Sequence, residues 1–401
     1  MDAPGSVRGR LYTAAGVRSA VIGLTGVLLG LYLARLGIDA PRLGLIVGAG
    51  LAGNALGTTA ITLFARRVRH RDALVALMAL GALGLAGMAA LHTTVLLGAA
   101  AFVGMVNGAG RDRSAAQVLE QSVLADGVGA EDRTGVFARY ALIQELSGAL
   151  GSLAAAVPGL VVIRWGVPAI TADRWAFVTA AAILAALLPV YLGLPRGRRS
   201  DGDRRPTPSS RRRLGHLTAL FALDSLGGGF LLSAILTYWF FRRFGLGGTA
   251  LGPIFFAART LNAASYPCAA WLARRIGLVR TMVFTHLPSS VILFCLPFVA
   301  HRGLVIGLFL LRESLVQMDV PARQSYIAAV TEAGDRTYAL GITGLVRNVG
   351  WALGPPLAGS AMAALGLGAP LLIGATLKGC YDVALYRLFR HIPAPEEAPA
   401  G

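Results

Sequence analysis

The chain alternates long apolar runs with short polar breaks. A membrane helix needs about 20 mostly apolar residues. Runs of that kind fall near 11–34, 43–64, 73–91, 94–119, 134–162 and 172–194. A second set falls near 216–241, 249–272, 281–300, 303–326, 337–364 and 368–388. The pattern predicts an all-α membrane protein with twelve transmembrane helices in two sets of six. The predicted domains are an N-terminal bundle over 1–194, a linker over 195–215 and a C-terminal bundle over 216–401 with a short tail.

The linker region reads LPRGRRSDGDRRPTPSSRRRLG (194–215) and has no apolar periodicity, the composition of a solvated segment. It is basic, as are ARRVRHRD (65–72), ARRIGLVR (273–280) and YRLFRHI (386–392). Cytoplasmic loops carry the excess of Arg and Lys. An even number of spans then puts all these segments, and both termini, on the cytoplasmic side of a cell (inner or plasma) membrane.

The two sets repeat each other. RLGIDAPRLGLI from Arg35 aligns with RFGLGGTALGPI from Arg243, an offset of 208 that also places Asn54 on Asn262 and the Ala-Arg-Arg of 65–67 on that of 273–275. Asp-Arg-Thr at 132–134 pairs with 335–337, and Leu-Gly at 150–151 with 353–354, both at an offset of 203. Two parallel six-helix halves joined by a linker form an architecture of secondary transporters.

Composition agrees with a membrane protein. The chain is 55% hydrophobic and 14% charged, with a mean hydropathy of +0.64, whereas soluble domains carry about 25% charged residues. The net charge of +17 is almost all arginine, and Lys378 is the one lysine. The arginines cluster in loops and build no continuous basic face, which argues against a nucleic-acid partner. Cys268, Cys295 and Cys380 are scattered, without metal or disulfide spacing. GAGLAG (48–53) matches Gly-x-Gly-x-x-Gly but lies inside a membrane-length apolar run. Close helix approach explains it better than a dinucleotide, and no cofactor is expected. No nucleophile–base–orienter set is visible, so no enzymatic activity is expected.

Charges inside apolar helices are costly and mark sites or pathways. On the tenth span Arg312, Asp319 and Arg323 share one helical face, with Glu313 beside Arg312 and a bend or break expected at Pro321. The eleventh span carries Arg347 and Asn348. In the first half Arg113, Gln117 and Glu120 form the matching stripe beside Arg111 and Asp112, and Gln144 and Glu145 stand where Arg347 and Asn348 stand in the second. These charges are either a static salt-bridge network or a substrate- and proton-handling surface. Glu145, Glu313, Asp319 and Asp224 are the candidate proton carriers. Arg113, Gln117, Gln144, Arg312, Arg347, Asn348, Asn54 and Asn262 are the candidate cavity residues. Arg18 and Asp224, each a few residues into its span, and Arg323 are the candidate gate residues, the alternative for Arg18 and Asp224 being that each snorkels to its interface. Of the six histidines only His286 lies embedded in a span.

With these features the chain resembles the major facilitator superfamily over nearly its whole length. LFARRVRHR (63–71) and WLARRIGLVR (271–280) resemble its loop signature Gly-x-Leu-Ala-Asp-Arg-x-Gly-Arg-Arg, with Arg66 and Arg274 at the acidic position. GITGLVRNVGWALGPPLAG (341–359) is similar in spacing to a glycine-proline motif carried by antiporters of the family on their fifth helix; the fifth helix here ends SGALGS (147–152) without the proline. LDSLGGGF (223–230), ARRIGLVRTMVFTHLPSS (273–290) and MDVPARQSYIAAV (318–330) resemble a bacterial subgroup. The resemblance implies a monomeric secondary transporter in a lipid bilayer, with the first and seventh helices lining a central cavity. It would move a small-molecule substrate by alternating access, with proton-coupled efflux of a drug-like compound or metabolite as the default. The embedded arginines suit an anionic metabolite (carboxylate or organic phosphate) as an alternative. A non-transporting sensor or a lipid flippase on the same scaffold is a further one.

Overall fold

The computed structural model describes residues 4–64, 69–126, 133–195, 208–319 and 336–389, and among them all regular structure is helical. The first half contains α1 (Pro4–Arg35), α2 (Ala40–Phe64), α3 (His70–Ala90), α4 (Thr94–Val103), α5 (Ala115–Asp126), α6 (Arg133–Ala154), α7 (Val157–Trp165), α8 (Ala169–Ala185) and α9 (Leu188–Leu192). The second contains α10 (Pro208–Gly229), α11 (Ser233–Phe244), α12 (Gly248–Ile276), α13 (Leu278–Cys295) with a 3-10 turn at Leu296–Phe298, α14 (Arg302–Val316), α15 (Arg336–Leu365) and α16 (Ala369–Phe389).

Among the described residues, helix is found in each of the twelve expected runs. Among the described residues, seven continuous or near-continuous stretches are long and apolar enough to cross a membrane: Val7–Arg35, Ala40–Ile61, His70–Ala90, Gly135–Trp165, Ala169–Leu192, Thr218–Phe244 and Leu278–Phe298. The helices α12, α15 and α16 are 29, 30 and 21 residues long, which at about 1.5 Å per residue also spans a hydrocarbon core. Large apolar side chains stand fully outward, among them Val95 (80% exposed), Ile163 (75%) and Leu365 (74%). Such a surface is stable against lipid and not against water.

Among the described residues several expected spans are interrupted, 303–326 among them by a turn at Gln317–Met318. The run 94–119 is two helices separated by irregular backbone, and shorter breaks fall at Ala155–Ala156, Ala186–Leu187 and Phe230–Leu232. Non-helical backbone at membrane depth survives only where its polar groups find partners. Between α4 and α5, Asn107 supplies several of them. Its side-chain amide donates to the Arg111 carbonyl at 2.7 Å, and its side-chain oxygen accepts from the Ala109 N–H at 2.8 Å. At the start of α11 the Ala234 N–H donates to the Gly108 carbonyl at 2.9 Å and Ser233 Oγ to the Ala109 carbonyl at 3.0 Å. Gly110 turns the chain at φ +75°, a conformation that L side chains rarely adopt.

The fold divides into two compact units. One comprises 1–201 with 232–256 and 355–363; the other comprises 202–231, 257–354 and 364–401. In the first, small residues let helices approach closely. A Cβ on Gly50 or Gly53 would run into the carbonyls of Val106 and Phe102, and one on Gly23 into that of Gly148. GAGLAG is thus a packing surface for α2 against the α4 segment. In the second unit α10, α13 and α16 enclose a core of Phe221, Met282, Tyr381 and Leu385 with their neighbours. A Cβ on Gly229 would press on Gly354, so α10 and α15 nearly touch through glycines.

Candidate functional site

Each unit encloses a buried cluster of charged side chains at an interrupted helix. In the first unit the centre is Arg18, halfway along α1 and 2% exposed. Its Nε donates to Asp112 Oδ2 at 2.7 Å. Its two terminal nitrogens grip both oxygens of Glu120, which is fully buried on α5. Tyr140 on α6 donates to Glu120 Oε2 at 2.6 Å, and Tyr191 on α9 donates to Oε1. Gln144 donates to Asp112 Oδ2 at 3.2 Å and accepts from Gln117 at 3.2 Å. Asp112 also receives the Ser114 N–H at 3.0 Å, so the same carboxylate ties the irregular segment to the entry of α5. An apolar-walled cavity of about 60 Å³ reaches Arg18, Thr25, Asn107 and Ser114.

In the second unit Asp224 on α10 is 4% exposed and is held by two cations from different helices. Lys378 Nζ on α16 donates to Oδ1 at 2.8 Å, and Arg347 Nη1 on α15 lies 3.6 Å from Oδ2. The Arg347 guanidinium also stacks on Trp351 (5.1 Å) and Phe221 (5.9 Å). Lys378 Nζ further lies 3.3 Å from His286 Nε2 on α13, whose Nδ1 faces Asp382 of α16 at 2.8 Å. A second group joins Arg312 to Glu313, which accepts from Asn262 Nδ2 at 2.9 Å.

The candidate residues therefore fall into several places. Gln117 and Gln144 adjoin the Arg18 cluster. Asn262, Arg312 and Glu313 form one group, and Arg347 with Asp224 another. Asn54 donates to the main-chain carbonyl of Arg113 at 3.1 Å, so the repeat-related Asn54 and Asn262 each reach a charged segment of their own unit. Glu145 lies 3.6 Å from Arg111 and is partly exposed. Asp319 is 3% exposed, and Asn348 is half-buried. Arg323 lies outside the described residues. Arg18 and Asp224 each have their charges met within their own unit.

Sequence reading passed over Lys378, His286 and Asp382, and it did not join Arg18 to Asp112, Glu120, Tyr140 and Tyr191. The signals were present. Lys378 is the chain's one lysine and sits mid-span, and His286 is the embedded histidine. Among the described residues, no three His, Cys, Asp or Glu side chains are placed to hold a metal ion.

Among the described residues, an all-helical body with buried ion clusters and an exposed apolar surface is that of a multi-pass membrane protein. Residues 11–316 match the sequence profile of the Major Facilitator Superfamily, and the chain belongs to that family. It is 24% identical over 386 residues to the uncharacterized membrane protein YJR124C of Saccharomyces cerevisiae, covering 87% of this chain and 86% of that one. Its fold is similar to the nucleoside transporter NupG (TM-score 0.77, 12% identity, 96% of this chain and 100% of that). It is similar also to a bacterial homolog of the human lysosomal transporter Spinster (0.73, 13%, 96% and 96%) and to a D-xylose–proton symporter (0.71, 13%, 94% and 97%).

Proposed function

We propose that this chain is a secondary active transporter that moves a small solute across the cell membrane by alternating access, coupled to protons, with export of a drug-like compound or metabolite as its direction of work. One observation carries the reading: in each unit, buried carboxylates stand at an interrupted membrane helix. Asp112 lies within the α4–α5 break and Glu120 in α5 just after it, and Asp224 precedes the Gly227–Gly229 run and the α10–α11 break. Interrupted helices are where transporters build ion and substrate sites, and buried ionisable groups there are functional by default. The similarity to a proton symporter supports a proton as the coupling ion.

Arg312 and Arg347 already have Glu313 and Asp224 as partners, which favours proton handling over capture of an anionic metabolite at these arginines. Arg18, Asp224 and Arg323 are proposed as gate residues, with Glu145, Glu313, Asp319 and Asp224 as proton carriers. The proposed orientation places both termini in the cytoplasm.

The test is a metabolite and drug panel on deletion and overexpression strains, followed by flux of the responding solute in proteoliposomes. The proposal expects uncoupler-sensitive flux that loses its pH dependence in Glu145→Gln or Glu313→Gln. Flux that ignores the proton gradient sinks the coupling. Ligand binding without flux indicates a sensor, and movement of lipid alone a flippase.

A further inference from the structure

The cluster around Lys378 has a proton inventory that the contacts themselves constrain. Asp382 is fully buried and His286 is 1% exposed. With Asp382 ionised beside Lys378, its oxygens only accept, and His286 Nδ1, 2.8 Å from Oδ1 and 2.9 Å from Oδ2, is then the donor. The other ring nitrogen, Nε2, faces Lys378 Nζ at 3.3 Å. An ammonium has donors and no acceptor, so Nε2 has to be bare while Lys378 is charged. Donation then runs in one direction: Lys378 to Asp224 and to His286, and His286 to Asp382. Lys378 thus bridges the carboxylate of α10 and the imidazole of α13.

We propose that Asp224, Lys378, His286 and Asp382 form a proton-binding relay, in which a proton taken up at His286 Nε2 expels Lys378 from the ring and frees it to move with Asp224. The proposal rests on the proton-coupled reading above and gives it a site. The step balances simply. One N–H bond forms at Nε2 from a solvent proton, the Nζ–H···Nε2 hydrogen bond breaks, and a neutral imidazole becomes an imidazolium still held by Asp382. Two like charges 3.3 Å apart repel strongly where little water screens them.

The surroundings supply what the relay needs. The groups placed against His286 are Asp382, Lys378 and the ring of Tyr381, edge-on at 6.1 Å, all from α16. Behind Lys378 stands Asp224 of α10, and behind Asp224 stands Arg347 of α15. The helix α14 also packs on α13, and its Arg312 and Glu313 pair with each other and with Asn262. With His286 neutral, two cations (Lys378, Arg347) meet two carboxylates (Asp224, Asp382), so the cluster is balanced and an added proton makes it positive. Beside Asp224 the α10 backbone reads Gly227–Gly228–Gly229 and then leaves the helix. Release of Lys378 from α13 therefore acts on the one segment of α10 best able to bend.

The experiment uses the full chain in lipid nanodiscs with 15N-labelled lysine and histidine side chains. Because the chain holds one lysine, the Lys378 Nζ signal needs no assignment. His286 is assigned by the signal lost in His286→Gln, with thermal unfolding confirming that the variant folds. The sample is titrated between about pH 8 and pH 5, the interval in which imidazole signals move. The expected result is that the His286 ring begins as the Nδ1–H tautomer, gains a second N–H as pH falls, and that the Lys378 signal shifts over the same interval. In His286→Gln the Lys378 signal should stay fixed. A Lys378 signal that stays fixed in the unsubstituted protein, or that shifts equally in His286→Gln, overturns the relay, and the unsubstituted protein decides this even if the variant misfolds. The concerted shift without proton-driven flux would retain the relay and remove its coupling to transport; proton-driven flux without the shift would do the opposite.

Discussion

At the level of single side chains, the first unit depends on Arg18 more than on any other charge. Glu120 and Asp112 are buried with Arg18 as their shared cation. Removing one partner of a buried pair leaves an uncompensated charge and costs about 3–5 kcal/mol. Arg18→Met should therefore lower the thermal unfolding midpoint of purified protein sharply. Arg18→Lys should recover only part of it, since an ammonium cannot fork across Glu120 and reach Asp112. Glu145 provides the contrast. It is partly exposed at 3.6 Å from Arg111, and Glu145→Gln should cost under about 1 kcal/mol in the same assay. If Glu145→Gln changes the pH dependence of flux while leaving the unfolding midpoint in place, its role is functional and not structural. Equal destabilisation by Arg18→Met and Glu145→Gln would contradict this ranking.

At the level of elements, close packing explains where the glycines lie. Gly53 of α2 faces the Phe102 carbonyl with no room for a methyl, whereas a Cβ on Gly98 of α4 meets nothing within 4 Å. Gly53→Ala should push α2 off α4 and cost about 1–3 kcal/mol. Gly98→Ala should be neutral or stabilising by up to about 1 kcal/mol, because alanine is the better helix former. Comparing unfolding midpoints of the two variants checks this; matched effects would mean that the α2–α4 contact is looser than described. The irregular stretch between α4 and α5 has the same logic. Gly110 has φ +75°, and a Cβ there would lie 2.8 Å from Ser233 Oγ. Gly110→Ala should lose about 1–3 kcal/mol through backbone strain and weaken the contact that closes this break.

For the whole molecule, the basic loops make the proposed orientation measurable. Asp39, in the exposed turn between α1 and α2, should face away from the cytoplasm. In a background lacking Cys268, Cys295 and Cys380, Asp39→Cys should react with a membrane-impermeant maleimide added to intact cells, while tags at either terminus should be reached only after the membrane is opened. Labelling of the termini in intact cells would reverse the orientation. The charge asymmetry that sets topology acts on loops near the span ends, so this result tests Arg66, Arg274 and their neighbours as a group.

The twelve spans and the repeat were legible in the sequence because hydrophobic length alone decides what crosses a bilayer. The buried charges were legible too, as Arg18, Glu120, Asp224, His286 and Arg347 interrupt that grease. Their pairing was not. Arg18 and Glu120 are 102 positions apart, Asp224 and Lys378 are 154 apart, and His286 and Asp382 are 96 apart. No local spacing encodes such meetings; they arise when helices distant in sequence turn particular faces together. The α4–α5 interruption was read as part of a continuous span although Gly104, Gly108, Gly110 and the run Arg111–Asp112–Arg113 mark it; the partners supplied by Asn107, Ser233 and Ala234 make the break stable in lipid. The sequence by itself therefore determined that this protein spans a membrane and that charged side chains lie within it. Tertiary structure alone decided which charge answers which, because a buried ion takes whichever partner packing brings within reach.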